Sequence, residues 1–189
     1  MRKKVIPTNK ELILDDNNIF ISKTDYRGRI TYVNDYFCEI TGYSRDELIG
    51  ANHNIVRHPD MPRAIFYFMW QTLHQNRNLK AIVKNMTKNG DHYWVITDFK
   101  IDRNELGKPT YLAKRRKAPI KLVEHFLPIY EQMIEIENNA IDKDIGMKES
   151  LEYFINILNE ADKDYDTYVD GVIKESFFGS IFSKLKSLF

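Results

Sequence analysis

The sequence has 189 residues and a single cysteine, Cys38, so neither a disulfide framework nor a cysteine-based zinc site is predicted. No run of about 18 apolar residues occurs, and no segment is therefore predicted to span a membrane. The basic N-terminus lacks the apolar stretch that a secretory signal requires. These absences together favour a protein of the cytoplasm.

Charge of one sign is also scarce. The 28 lysines and arginines nearly balance the 27 aspartates and glutamates, which leaves a formal net charge of +1. Nucleic acid is therefore not an expected partner. The chain has no phosphate-binding glycine-rich loop, no kinase signature and no constellation of a nucleophile with a base. We predict that it is not an enzyme and has no catalytic or metal site.

Strand and helix patterns are what the sequence does contain. Five strands are predicted, at Ile19–Ser22, Arg29–Asn34, Leu79–Met86, His92–Ile101 and Thr110–Arg116. Three helical segments are predicted between the second and third strands, at Asp35–Thr41, at the Ser44–Glu47 capping box and from Pro62 onward. The order β-β-α-α-α-β-β-β predicts an α+β fold, with an antiparallel sheet and helices on one side.

Amphipathic helices are predicted after the strands, at Lys121–Ile141 and Lys148–Ile173. Asp162 interrupts the apolar seam of the second helix. Such helices are not stable alone, so we expect them to pair with each other, with the sheet or with another chain.

The last segment, Phe177–Phe189, is amphipathic and carries Lys184 and Lys186 without any acid. Its apolar face is a candidate contact with a partner or a membrane, formed by Phe177, Phe178, Ile181, Phe182, Leu185 and Leu188. Docking of this face on the other helices or on the sheet is an equal alternative, since amphipathicity does not distinguish lipid from protein.

Three stretches resemble the PAS-domain signature: Tyr32–Phe37, Thr41–Ser44 and Glu47–Gly50. Four more are similar to the PAS domain of bacterial aerotaxis and energy-taxis receptors: His53–Pro62, Met69–Trp70, Val83–Asn85 and Lys88–Val95. The resemblance covers about Asn18 to Arg116. It implies a five-stranded PAS fold in a stand-alone sensor that holds FAD non-covalently and signals by its redox state.

The resemblance also implies a partner. Receptors of this family continue into a membrane anchor, a HAMP domain and a methyl-accepting signalling domain, which we do not find here. We therefore expect a separate methyl-accepting transducer, with a homodimer and a peripheral contact at the inner membrane as further options. The expected organisation is an N-terminal cap (1–18), the PAS sensor domain (19–117), a helical pair (118–175) and an amphipathic tail (176–189).

Candidate cofactor-binding residues follow from what FAD requires. They are Asn34, His53, Arg57, His58, Asp60, Met69, Trp70 and Asn85. Met69 and Trp70 lie on an apolar helix face that suits a flat ring, and Asn34 and Asn85 carry amides that donate and accept. Arg57 offers a planar fork for phosphate or an anionic ring. Asp60 is positioned to orient Arg57 or His58.

Structural roles are the alternative for several of these residues. Trp70 also fits core packing, Asn34 an N-cap, and Asn85 a half-exposed strand position. Arg57 and Asp60 also fit a structural ion pair. Trp94 is expected on the other face of its strand from Tyr93, as a packing or relay residue.

Two other kinds of PAS domain remain open. A haem b gas sensor needs an axial histidine, for which His53, His58 and His74 are candidates. A cofactor-free interaction module is the third option, although a polar cluster lining an empty pocket is costly. A light-driven thiol adduct is not expected, because no cysteine lies in His53–Pro62 and Cys38 sits on the short helix Asp35–Thr41.

Overall fold

A computed structural model describes the backbone of residues 5–186 and the side chains of residues 5–175. The chain divides into two compact units. One comprises the residues up to 61 and 65–117, and the other comprises 62–64 and the residues from 118 onward. Each is described separately.

The first unit is a five-stranded antiparallel sheet in the order β2-β1-β5-β4-β3. Its strands are β1 (Phe20–Asp25), β2 (Ile30–Val33), β3 (Leu79–Met86), β4 (His92–Arg103) and β5 (Pro109–Lys117). The helical segments between β2 and β3 are α1 (Asp35–Thr41), α2 (Arg45–Leu48), a 3₁₀ turn (His53–Val56) and α3 (Arg63–His74). The predicted α+β class, the strand number and the helix positions are confirmed.

Local sequence signals explain where the short helices begin and end. The Ser44 hydroxyl accepts the N–H of Glu47, and the Glu47 carboxylate accepts the N–H of Ser44, which completes the predicted capping box. Helix α1 ends at Gly42, whose φ of 71° is the left-handed conformation that glycine adopts without strain.

The two faces of the sheet are defined by strand alternation. Phe20, Tyr93 and Arg115 share one face, and the rings of Phe20 and Phe37 of α1 approach to 6.2 Å there. We call this the helix-covered face. His92, Trp94 and the side chains in register with them leave the sheet on the opposite face.

The N-terminal segment lies against the start of β4. Leu12 N–H donates to the carbonyl of His92 at 2.7 Å, and His92 N–H donates to Lys10 at 2.9 Å. At Gly90 a side chain would meet the Ile6 carbonyl oxygen at 2.1 Å, so the close approach requires glycine there. Trp94 is buried, with 7% exposed.

The second unit contains three helices, α4 (Ile120–Asn139), α5 (Lys143–Glu160) and α6 (Tyr165–Lys186). Leu122, Phe126, Tyr130 and Met133 of the predicted stripe are buried in α4. An aromatic cluster forms its core, in which the ring of Phe154 lies 5.4 Å from that of Tyr165.

The single helix predicted at Lys148–Ile173 is wrong. Two helices occupy this stretch, because Asp162 adopts a left-handed φ of 51° and Asp164 accepts the N–H of Thr167 at 2.7 Å, as an N-cap does. The interruption of the apolar seam at Asp162 was the sequence signal for this break.

Candidate functional site

A buried arginine is the centre of the polar chemistry on the helix-covered face. Arg115, on β5, is 3% exposed. Its guanidinium donates to the Ser22 hydroxyl at 2.9 Å, to the Ala113 carbonyl at 3.3 Å and to His53 Nε2 at 3.0 Å. A guanidinium has only donors, so Nε2 of His53 accepts and its proton lies on Nδ1. The Ser22 hydroxyl, 3.0 Å from the same nitrogen, has Nε2 as its acceptor.

The charge of this arginine is not neutralised by the protein. Burial lowers the pKa of Arg115 to about 10, which leaves it charged near neutral pH. Among the described residues its hydrogen-bond partners are a hydroxyl, a carbonyl and an imidazole, and none is a carboxylate. Burial, and then the charge of Arg115, lower the pKa of His53 to about 3, so His53 is neutral. An unpaired buried cation is costly in free energy unless an electron-rich group faces it.

Two buried hydroxyl groups on β4, like the charge of Arg115, are not satisfied by the described residues. Thr97 stands directly opposite Arg115 in the strand register, and Tyr93 lies four residues away on the same face. Both residues are fully buried, and within the described part of the chain neither hydroxyl has a hydrogen-bond partner. Asn85, which is 4% exposed, pairs with Tyr93 across β3 and β4. The helix-covered face thus presents polar groups that the described protein does not satisfy.

Aromatic and basic side chains approach this face from the α3 side. The Arg57 guanidinium lies 4.5 Å above the ring of Phe66 and donates to the Met61 carbonyl at 2.9 Å. Trp70 packs edge-on against Tyr111 of β5, with ring centroids 5.5 Å apart, and Met69 is buried. Four of the predicted site residues (His53, Arg57, Trp70 and Asn85) therefore contact the sheet face or its helical cover.

His58 and Asp60 lie elsewhere. Arg57 bridges Asn85 of β3 and is itself extended, with φ −71° and ψ 128°, and the chain turns directly after His58. Adjacent residues of extended backbone point in opposite directions. His58 accordingly stacks edge-on against His92 at 5.7 Å, and Asp60 pairs with Lys84 at 2.9 Å.

The surroundings of His58 keep it neutral. It is fully buried, and its Nδ1 accepts the N–H of Asp60 at 3.1 Å, so the proton lies on Nε2. Burial, followed by the charge of Lys84, holds the pKa of His58 well below its usual range. Its Nε2 has no partner among the described residues.

Asn34 has the structural role that the sequence left as an alternative. Its Oδ1 accepts the N–H groups of Ile21 at 2.9 Å and Phe37 at 3.2 Å, and its Nδ2 donates to Ile19 at 3.0 Å. The amide caps α1 and joins it to β1.

The expected apolar contact residues of the tail, Phe177–Leu188, have side chains outside the described residues.

Sequence reasoning missed Arg115 and Ser22. Arg115 stands within the basic run Lys114–Lys117, which is typical of an exposed strand. The signal that could have found it is alternation, because Tyr111, Ala113 and Arg115 lie on one face of β5 and the first two suit a buried face.

Comparison with known proteins identifies the first unit. A family model described as the PAS fold matches residues 30–115. These residues are a PAS domain. The PAS fold predicted from the signature residues is thereby confirmed.

The PAS region is similar to that of several sensors and regulators. The aerotaxis receptor of Escherichia coli K12 is 39% identical over 126 residues, which is 67% of this chain and 25% of the receptor. A nitrogen fixation regulatory protein of Klebsiella pneumoniae is 35% identical over 109 residues, 57% of this chain and 22% of that protein. The chain thus spans about a quarter of the length of these relatives.

Solved structures agree on the fold. The structure "Flavin Analogue Sheds Light on Light-Oxygen-Voltage Domain Mechanism" matches with a TM-score of 0.51 at 22% identity, over 61% of this chain and 87% of that chain. The light-state structure of the Aureochrome1 LOV domain matches with a TM-score of 0.50 at 20% identity, over 58% of this chain and 88% of that chain.

None of the described helices combines the length and apolarity needed to cross a bilayer.

Proposed function

We propose that the PAS domain binds FAD non-covalently and senses redox state for taxis. The observation that carries this proposal is the set of unsatisfied polar groups on the helix-covered face: the unpaired charge of Arg115 and the partnerless hydroxyls of Tyr93 and Thr97. Such groups lower stability if nothing meets them, and native proteins rarely leave them so.

The residues present fit a flavin. The edge of the flavin ring carries both donors and acceptors, which suits the Asn85 amide and the two β4 hydroxyls. Trp70, Met69 and Phe66 offer apolar surface for the flat ring, and Arg57 offers a cation for the anionic pyrophosphate. FAD supplies the electron-transfer chemistry, while the protein holds it and tunes it by hydrogen bonds and charge.

The similarity to the E. coli aerotaxis receptor supports the same proposal. The E. coli protein that shares 39% identity over 126 residues is an aerotaxis receptor, and its similarity extends over more of this chain than the PAS match of 30–115. By the same similarity, we propose that a membrane-bound methyl-accepting transducer with a HAMP domain receives the signal.

The route of the signal is proposed as a population shift. Reduction changes the hydrogen bonds at the ring edge and moves Asn85 or its strand, and the helical unit then presents a different surface to the transducer. The tail from residue 177 is proposed to keep the sensor beside the membrane. Deleting 177–189 and fractionating cells tests this point, and an unchanged membrane fraction would count against it.

A haem sensor is less well supported by the site. An axial histidine needs a nitrogen free to bind iron on the helix-covered face. Nε2 of His53 already accepts from Arg115, and His58 lies against His92 and near Lys84. The third candidate, His74, is exposed at the end of α3 and packs against Trp70, so none of the three histidines presents a free buried nitrogen to the helix-covered face in the described arrangement.

Spectroscopy on the purified protein tests the cofactor. We expect a flavin spectrum that bleaches with dithionite, and release of the flavin by denaturation should yield FAD on chromatography. A Soret band would replace the proposal by the haem alternative. A colourless folded protein that does not take up added FAD would favour a cofactor-free interaction module.

A further inference from the structure

We propose that Arg115 is the charge that sets the redox potential of the bound flavin, and that His53 positions it. This inference rests on the proposed flavin site. It adds a role for one residue that the family resemblance did not assign, and it concerns the difference between two oxidation states rather than binding as such.

Arg115 has more N–H donors than hydrogen bonds to described residues. Its guanidinium has five N–H groups and makes three hydrogen bonds to described residues. Its Cζ also lies 5.5 Å above the ring of Phe37, so an aromatic face supports the charge without neutralising it. The guanidinium can therefore donate to a further acceptor without losing its present partners.

Neutral acceptors orient Arg115, and no carboxylate among the described residues pairs with its charge. Ser22 and the neutral His53 accept from it at 2.9 and 3.0 Å, and both are weaker partners than a carboxylate. A carboxylate in their place would cancel the charge and fix the guanidinium. The imidazole orients the guanidinium while leaving its full charge to act on whatever faces β5 and β4.

The charge of Arg115 interacts differently with the oxidised and the reduced flavin ring. Dithionite supplies two electrons and solvent supplies one proton, which converts the neutral oxidised ring to a reduced ring with one negative charge. A buried cation interacts strongly with an anion because the local dielectric is low, and weakly with a neutral ring. Arg115 thus stabilises the reduced form selectively, which raises the potential.

The expected size follows from charge-assisted hydrogen bonds. Removing the cation should weaken binding of reduced FAD about ten- to a hundredfold relative to oxidised FAD. At about 30 mV for each tenfold change in a two-electron couple, the midpoint potential should fall by about 30–60 mV. A purely structural role would weaken binding of both forms equally and leave the potential unchanged.

The test compares variants of the full chain by potentiometric titration of bound FAD. Arg115→Gln removes the charge and keeps donors for Ser22 and His53, and Arg115→Lys keeps the charge without the fork. The matched control is Arg116→Gln, the next residue on β5, whose exposed side chain leaves the sheet on the opposite face. We expect a lower potential in the first variant, at least half of that drop restored in the second and no change in the control.

His53→Gln tests the positioning role. We expect a drop in potential smaller than that of Arg115→Gln, because the charge stays but its orientation loosens. Combining the two changes should add nothing to Arg115→Gln alone, since His53 acts through the arginine.

The outcomes separate this inference from the proposed function. If the wild-type protein binds no flavin, both fail. If it binds FAD but Arg115→Gln, or Arg115→Met should the first variant not fold, shows the wild-type potential and no loss of affinity specific to reduced FAD, the charge proposal is overturned while the sensor proposal stands. A fall in the potential of Arg115→Lys as large as that of Arg115→Gln would also contradict it, because Arg115→Lys keeps the charge that Arg115→Gln removes.

Discussion

The two faces of the sheet differ in how their charges are paired. On the helix-covered face, Arg115 has no carboxylate partner, and the hydroxyls of Tyr93 and Thr97 have no partner among the described residues. On the opposite face, Asp60 pairs with Lys84, although one ring nitrogen each of His58 and His92 also lacks a partner there.

This difference makes the helix-covered face the better candidate for a ligand site, because its buried charge is the one that has no opposite charge beside it. Paired charges satisfy each other and contribute to stability, whereas unpaired buried groups reduce stability until something binds. The motif that first indicated a cofactor, His53–Pro62, contributes to both faces. His53 and Arg57 lie at the candidate site, whereas His58 and Asp60 contact β4 and β3 on the opposite face.

The largest expected effect is a loss of stability in acid, to which each face contributes one neutral histidine. The folded-state pKa values of His53 and His58 are both lowered, so the unfolded chain binds more protons below about pH 6.5. Their contribution to stability is present above that pH and is lost as the pH falls toward the folded-state values. The free energy of unfolding should fall by about 1.4 kcal/mol per pH unit for each group.

Urea unfolding of the FAD-saturated protein between pH 7 and pH 4.5 measures this slope. His53→Gln and His58→Gln should each remove about half of it, because glutamine does not titrate. Gln71→Asn, at an exposed position of α3 that carries no titrating group, is the control and should leave the slope unchanged. A slope that neither substitution alters would show that these histidines are not the titrating groups.

The next effect separates stability from binding on the opposite face. His58→Ala removes a fully buried ring and should cost about 2–4 kcal/mol of unfolding free energy, as other large-to-small core changes do. Because the ring faces His92 and not the helix-covered face, FAD affinity of the folded fraction should change less than about threefold. Denaturant unfolding and flavin fluorescence titration measure the two quantities. A large loss of affinity at unchanged stability would place His58 in the site.

Thr97→Val should act in the reverse way on the helix-covered face. The change removes a buried hydroxyl without a partner and nearly preserves the shape, so the flavin-free protein should gain about 1 kcal/mol of stability. FAD affinity should fall several-fold, because the ring edge loses a partner. Thr72→Val is the matched control: its hydroxyl donates to Phe68 at 2.9 Å, so this change should destabilise the protein by about 1 kcal/mol without weakening binding. Destabilisation by Thr97→Val would mean that the hydroxyl already has a partner.

The sequence predicts the elements of the PAS domain well because they depend on local signals. The Ser44–Glu47 capping box and the strand patterns of β3 and β4 occur as expected. It predicts the site less well, because the site depends on register. Whether Arg115 is exposed or buried depends on its pairing with Thr97 and Phe20, which are far away in the chain. The adjacent residues Arg57 and His58 look like one motif, yet the edge of β3 directs them to different faces.

The smallest effect tests how little an exposed ion pair contributes. Asp60→Asn breaks the pair with Lys84, whose oxygen–nitrogen distance is 2.9 Å, but the Asp60 side chain is 56% exposed. Solvent screens such a pair, so the loss of unfolding free energy should stay below about 1 kcal/mol and shrink in high salt. Asp35→Asn is the control, since Asp35 also pairs with an arginine at the surface, with its side chain fully exposed. A loss of more than about 2 kcal/mol that salt does not reduce would mean that Asp60 acts through the buried His58, whose Nδ1 accepts its N–H, and that the charged cluster on this face behaves as one buried network rather than as a surface pair.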